Sequence, residues 1–109
     1  MVTDATLGAM VKILRHEYAN MTLDTLVKEM RSRGFHWYPS TAAKVQAGQR
    51  SLKATELFAL ADIFGISPRD FEANQIRLKV FERKRDQAEA ELADAQAKLD
   101  QINAELKPT

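Results

Sequence analysis

At 109 residues the chain has room for one domain and an extension, with a hydrophobic content of 45% that admits an ordinary core. The absence of cysteine excludes disulfides, thiol chemistry and Cys-based zinc sites. The net charge of +1 conceals a strong division. Between residues 28 and 53 six bases (Lys28, Arg31, Arg33, Lys44, Arg50, Lys53) face only Glu29, giving +5. Between 77 and 85 five bases face Glu82, giving +4, and from Asp86 onward six acids face two lysines, giving −4. A polyanion would meet the middle of such a chain and avoid its end. No apolar run approaches the ~18 residues of a membrane span, and the first residues lack the charged and apolar regions of a signal peptide. A cytoplasmic location without membrane contact is expected.

In chain order, Leu7, Met10, Val11, Leu14 and Tyr18 recur at steps of three and four and mark one face of a first helix, capped by Thr3 or Thr6. Thr22 caps a second helix whose inner face is Leu23, Leu26, Val27 and Met30. Gly34 followed by Phe35 stops it. A short third helix, about Pro39 to Ala47, follows Trp37 and Tyr38. Proline suits its first turn because the missing N–H would have been unpaired there. Ala42 and Val45 face inward on this helix, leaving Ser40, Thr41 and Lys44 for solvent or a ligand. Gly48 ends it. The fourth helix, about Ala54 to Phe64, buries Leu57, Leu60, Ala61 and Phe64, with Gly65 and Ile66 repeating the stop. Ser67-Pro68-Arg69-Asp70 reads as a strong helix start. With no glycine or proline before Pro108, it predicts one helix of about forty residues, ~60 Å long.

From Phe71 the positions 71, 74, 78, 81, 85, 88, 92, 95, 99, 102 and 106 step by three and four and read Phe, Asn, Leu, Phe, Arg, Ala, Leu, Ala, Leu, Ile, Leu. This heptad predicts a coiled-coil seam of Leu78, Phe81, Ala88, Leu92, Ala95, Leu99, Ile102 and Leu106, with Arg85 as a costly member that sets register. In a parallel homodimer Arg77 would face the other copy's Glu82, and Lys84 its Glu89. Parallel pairing is favoured, although an alanine-rich seam also permits a third strand or an antiparallel arrangement.

Leu7-Gly8 with Arg15, then Met21-Thr22-Leu23 and Leu26, Ser40-Thr41 and Val45, Gly48-Gln49-Arg50, Glu56-Leu57, Leu60-Ala61 and Gly65-Ile66-Ser67 follow an order that resembles the phage-repressor-like (lambda repressor/Cro, or XRE) helix-turn-helix domains. The resemblance covers roughly residues 6 to 71. It implies a bundle of mostly five short helices whose third helix enters the DNA major groove. On that pattern Pro39, Ser40 and Lys44 fall where base-contacting side chains stand. Thr22, Gln49 and Arg50 fall where the phosphate backbone is touched. The sequence departs from the pattern in placing proline where a hydrogen-bonding side chain often stands, and in a longer segment between the second and third helices.

Physical chemistry supports each of these positions. The hydroxyls of Ser40 and Thr41 suit a base edge or a phosphate, and equally suit capping of the third helix. Lys44, one turn on, suits guanine acceptors or phosphate. Arg50 after a helix-ending glycine suits phosphate. Tyr38 stands beside the groove, while Trp37 is expected in the core with one polar tip. His16 and His36 have no second ligand at metal spacing, and no phosphate loop or nucleophile motif is present, so neither cofactor, metal nor enzyme activity is expected.

The reading is therefore an all-α chain: a five-helix lambda-repressor-like helix-turn-helix bundle with a long C-terminal coiled-coil helix. Residues 1–71 form the DNA-binding domain and 72–109 the dimerisation helix. The expected function is a sequence-specific transcriptional regulator of phage or bacterial type, a repressor acting by occlusion, bound to double-stranded operator DNA as a homodimer. A palindromic operator follows only if the segment around Phe71 places both domains alike. The alternatives are a protein-interaction module, antitoxin-like or a phage accessory factor, whose coiled coil recruits a protein partner, and an architectural DNA binder with little sequence preference.

Overall fold

Threonine hydroxyls and backward turns of glycine divide the chain into short helices, as the computed structural model, which describes residues 2–107, makes explicit. Helix α1 runs Asp4–Ile13 and is capped reciprocally: Thr3 Oγ1 accepts the Thr6 N–H (3.2 Å) and Thr6 Oγ1 accepts the Thr3 N–H (2.8 Å). It widens into a π-helical turn, Leu14–Tyr18, closed by the Ala19 N–H on the Leu14 carbonyl and followed by Asn20 at φ 49°. Helices α2 (Leu23–Ser32), α3 (Pro39–Gln46) and α4 (Ala54–Phe64) follow. After α2 and α4 the chain turns back in the same way. Gly34 and Gly65 take positive φ, and the N–H groups of Phe35 and Ile66 return to the carbonyls of Met30 and Ala61.

One core joins these helices. Val11, Leu14, Leu26, Met30, Trp37, Val45 and Leu60 are buried together, with Met10, Val27, Ala42, Ala61 and Phe64 around them. Two glycines permit the closest approach, where α1 crosses the end of α3. A Cβ on Gly8 would stand 2.1 Å from the Val45 carbonyl oxygen, and one on Gly48 would stand 2.7 Å from the Ala5 Cα. Any larger residue at either place must push α1 off α3.

The last third differs from the sequence expectation. Ser67 does open a helical turn, its N–H bonded to Asp70 Oδ2 (3.0 Å), but that turn is a single 3₁₀ turn, Pro68–Asp70. The chain then breaks at Phe71, whose ring enters the core, so this residue is not part of a seam. Helix α5 starts afresh at Ala73 and runs to Leu106, capped by the Glu72 carboxylate on the N–H groups of Asn74 and Gln75. Its first turns lie on α1 and the π turn. Ile76 is 1% exposed, and Ala73 and Val80 pack beside it. The folded unit thus extends into α5, and a division at residue 71 falls inside it.

Beyond about Lys84 the helix leaves the body. Its 34 residues span about 51 Å. The chain measures 67 × 29 × 21 Å with a radius of gyration of 19.1 Å, against about 13 Å for a compact chain of this length. Among the described residues there is no strand, and no helix is long and apolar enough to cross a membrane.

Candidate nucleic-acid interface

Helix α3 is the shortest of the five and its face is set by its start. Tyr38 is the extended residue before it, Pro39 takes the first helical position, and the Thr41 hydroxyl accepts the Tyr38 N–H (3.2 Å). Thr41 is therefore the capping residue and is half-buried. Ser40, which the sequence left between capping and contact, caps nothing: its exposed hydroxyl bonds to none of the described residues. With Ala42 and Val45 inward, the outward side carries Pro39, Ser40, Ala43 and Lys44. Six residues, 33–38, separate α2 from α3, the longer connection that the sequence indicated.

The neighbouring candidates are gathered by a residue the sequence reading did not single out as a site. Arg15 donates from Nε to the Gln46 side-chain oxygen and from Nη1 to the Met21 carbonyl, both at 2.8 Å. One guanidinium thus ties the end of α3 to the residue before Thr22. Thr22 caps α2, accepting the Thr25 N–H at 3.1 Å and sharing a 2.8 Å hydroxyl bond with Thr25. Gln49 is exposed in the loop after Gly48. That loop is pinned by Gly48 against Ala5 and by Ser51 Oγ on Asp4 Oδ2 (2.7 Å).

Arg50 has a structural task within the fold that its position did not indicate. Its guanidinium meets Glu56 fork to fork, Nη1 to Oε1 at 3.1 Å and Nη2 to Oε2 at 3.0 Å, and lies 5.7 Å from the Trp37 ring centre. Glu56 is only 2% exposed, and it also accepts Trp37 Nε1–H (2.6 Å) and the Lys53 N–H (2.9 Å). Burial pushes this carboxyl's pKa upward. Arg50 and the two N–H donors outweigh that and hold it below the usual carboxylate range. Trp37 is the core plug that the sequence indicated, and its polar tip ends on Glu56. The acid was missed because a glutamate in a first helical turn reads as a solvated charge.

The basic segment 77–85 is also largely committed within the chain. Lys79 pairs with Asp70 (3.5 Å) and Lys84 with Glu17 (2.7 Å). Arg83 donates to the Tyr18 carbonyl (3.1 Å) and stacks on the Tyr18 ring at 4.6 Å, while Arg85 pairs with Asp86 (3.0 Å). The contacts of Arg83 and Lys84 clamp α5 to the π turn, and Lys84 is thereby engaged before any second copy arrives. Between residues 28 and 53, by contrast, Lys28, Arg31, Lys44 and Lys53 have no carboxylate partner among the described residues, and Arg33 is held by Glu29 and Asp62.

The seam residues lie on the side of α5 that does not dock. Leu78, Phe81, Leu92, Leu99, Ile102 and Leu106 are all exposed, Phe81 at 64% and Leu92 at 71%, with Ala88 and Ala95 exposed between them. Among the described residues, no group of three or more His, Cys, Asp or Glu side chains is placed to hold a metal ion. Comparisons with family models, curated proteins and solved structures find no match to this chain.

Proposed function

We propose that the chain is a sequence-specific DNA-binding regulator of the lambda-repressor-like helix-turn-helix type, acting as a dimer joined through α5. The observation that carries the reading is the outward side of α3. An unbonded Ser40 hydroxyl and an unpaired Lys44 stand on a short helix buried only through Ala42 and Val45, and Lys28, Arg31 and Lys53 of the same basic segment also lack a carboxylate partner among the described residues. Such a surface offers hydrogen-bond donors to base edges and charge to phosphates. Thr22, which follows the Met21 carbonyl held by Arg15, and Gln49 in the loop after Gly48 supply further backbone contacts.

The dimer rests on the exposed stripe. A lone helix projecting about 33 Å into water (residues 85–106) and carrying leucines and an isoleucine along one side is marginal by itself. A second copy would cover the stripe and bring a second reading surface. Occlusion of polymerase at an operator is the corresponding mechanism. The same stripe also suits recruitment of a different protein, the interaction-module reading.

Selection of bound duplexes from random DNA by the full chain tests the proposal. A shared motif, with affinity falling steeply as salt rises, is expected. Lys44→Ala should relax preference at one position at a cost of ~1–3 kcal/mol. Absence of duplex binding, or uniform affinity for all sequences, overturns the regulator. Capture of a protein through the stripe by a chain that binds no duplex favours the module.

A further inference from the structure

We propose that Arg31, held over the ring of Tyr38, reads a guanine in the duplex next to the bases met by α3. The proposal rests on the DNA-binding reading above and adds to it a residue from the last turn of α2.

The chain has eight arginines, and their surroundings separate them. Arg15, Arg33, Arg50, Arg83 and Arg85 all spend their guanidinium donors within the fold. Arg31, Arg69 and Arg77 have no side-chain hydrogen bond or ion pair among the described residues, and of these only Arg31 is stacked on an aromatic ring. Its guanidinium carbon lies 4.8 Å from the Tyr38 ring centre, within the range of a cation–π contact.

The platform is rigid. Tyr38 follows Trp37, which is buried and bonded to Glu56, and precedes Pro39, while its own N–H is held by Thr41. Tyr38 is nevertheless 54% exposed, an aromatic residue left open to water at the start of the candidate reading helix. A guanidinium laid on such a ring keeps all five N–H donors at its edge and loses little freedom when they engage. Of the base edges in the major groove, guanine presents two acceptors, N7 and O6, at the spacing of that fork. A phosphate also takes a guanidinium, but it would be contacted at every sequence alike. Stacking on the ring that stands at the start of α3 favours the base.

The test uses the full chain and duplex libraries, followed by titration of the selected site and of the same site with each guanine replaced in turn. Arg31→Ala should remove the preference for guanine at one position, lowering affinity for the selected site roughly tenfold to hundredfold, and leave preferences at other positions intact. Arg31→Lys keeps the charge without the fork and should lose the same discrimination while binding random duplex as wild type does. Tyr38→Ala should reproduce most of the Arg31→Ala loss. Equal weakening at every sequence by Arg31→Ala would make the contact a phosphate one and overturn the proposal. So would an unchanged site preference. A wild-type chain that binds no duplex overturns the DNA-binding reading itself, whereas a site-selecting wild type with an indifferent Arg31→Ala overturns only this assignment. Both positions are exposed, and matched thermal unfolding of the variants confirms that the differences arise at the interface.

Discussion

Arg50→Ala separates two tasks that one side chain was able to perform, contact with phosphate and neutralisation of a buried acid. Glu56 accepts four hydrogen bonds, from Trp37, from Lys53 and twice from Arg50, so the substitution removes half of them together with the opposing charge. Removing one member of a buried pair costs about 3–5 kcal/mol, because the other charge is left behind. Here the Arg50 side chain is 32% exposed, so water can enter where it stood and solvate the carboxylate in part. A loss of about 2–3 kcal/mol is therefore expected, from the lower end of the buried range discounted for solvent. For a domain of this size that is a fall of about 10–20 °C in Tm. Thermal and urea unfolding of the full chain measure it, with a second comparison in a Glu56→Gln background. There the acid is neutral and the same alanine should cost less than about 1 kcal/mol, giving a coupling of at least ~1 kcal/mol between the two positions. A Tm change below about 3 °C, or equal costs in the two backgrounds, would refute the structural role and return Arg50 to the surface.

Three further outcomes follow from the same geometry. A fragment ending at Asp86 should fold, while one ending at Glu72 should be less stable by about 3–5 kcal/mol or unfolded, since it lacks the buried Ile76 and the packing of Val80; urea unfolding of the two fragments decides, and equal midpoints would detach α5 from the core. The depressed Glu56 carboxyl contributes stability that is fully present above the unfolded value of about 4.3 and is lost as pH falls through its lower folded value. Glu56→Gln should accordingly be less stable than wild type at neutral pH but show a shallower loss of stability below about pH 4, and parallel acid limbs would count against the ionised pair. Leu92→Asp with Leu99→Asp should convert a dimer into a monomer in sedimentation at micromolar concentration without changing the Tm of the docked domain; an unchanged mass would remove the stripe from the dimer.

The first four helices were legible because their apolar residues keep strict helical spacing and because glycine stops each of them except the first. All three of those glycines take positive φ, which is why the stops were specific. The break at Phe71 was not legible. Ser67-Pro68-Arg69-Asp70 carries the same capping residues whether one turn follows or ten, and only the burial of Phe71 distinguishes the cases. The docking side of α5 was hidden by a stronger pattern: Ala73, Ile76 and Val80 share their helix with the longer stripe that begins at Leu78. Within the candidate site, the outward placement of Ser40 and Lys44 was readable from the inward Ala42 and Val45. The hub at Glu56 was not, since its partners Trp37 and Arg50 lie nineteen and six residues away and meet it only through the fold.

The clamp between α5 and the π turn sets the direction in which the rod leaves the globular body. Glu72 caps the helix start, and Asp70, Tyr18 and Glu17 then hold Lys79, Arg83 and Lys84 over more than one turn. Two bodies joined through such rods would hold one distance and one rotation between their α3 helices. In a duplex each inserted base pair turns the second half-site by roughly 35° and advances it by about 3.4 Å. A pair of bodies on flexible tethers absorbs that offset, but a clamped pair does not. On the proposed dimeric reading, strict spacing between the halves of a bound site would depend on the contacts that Tyr18 and Glu17 make with α5.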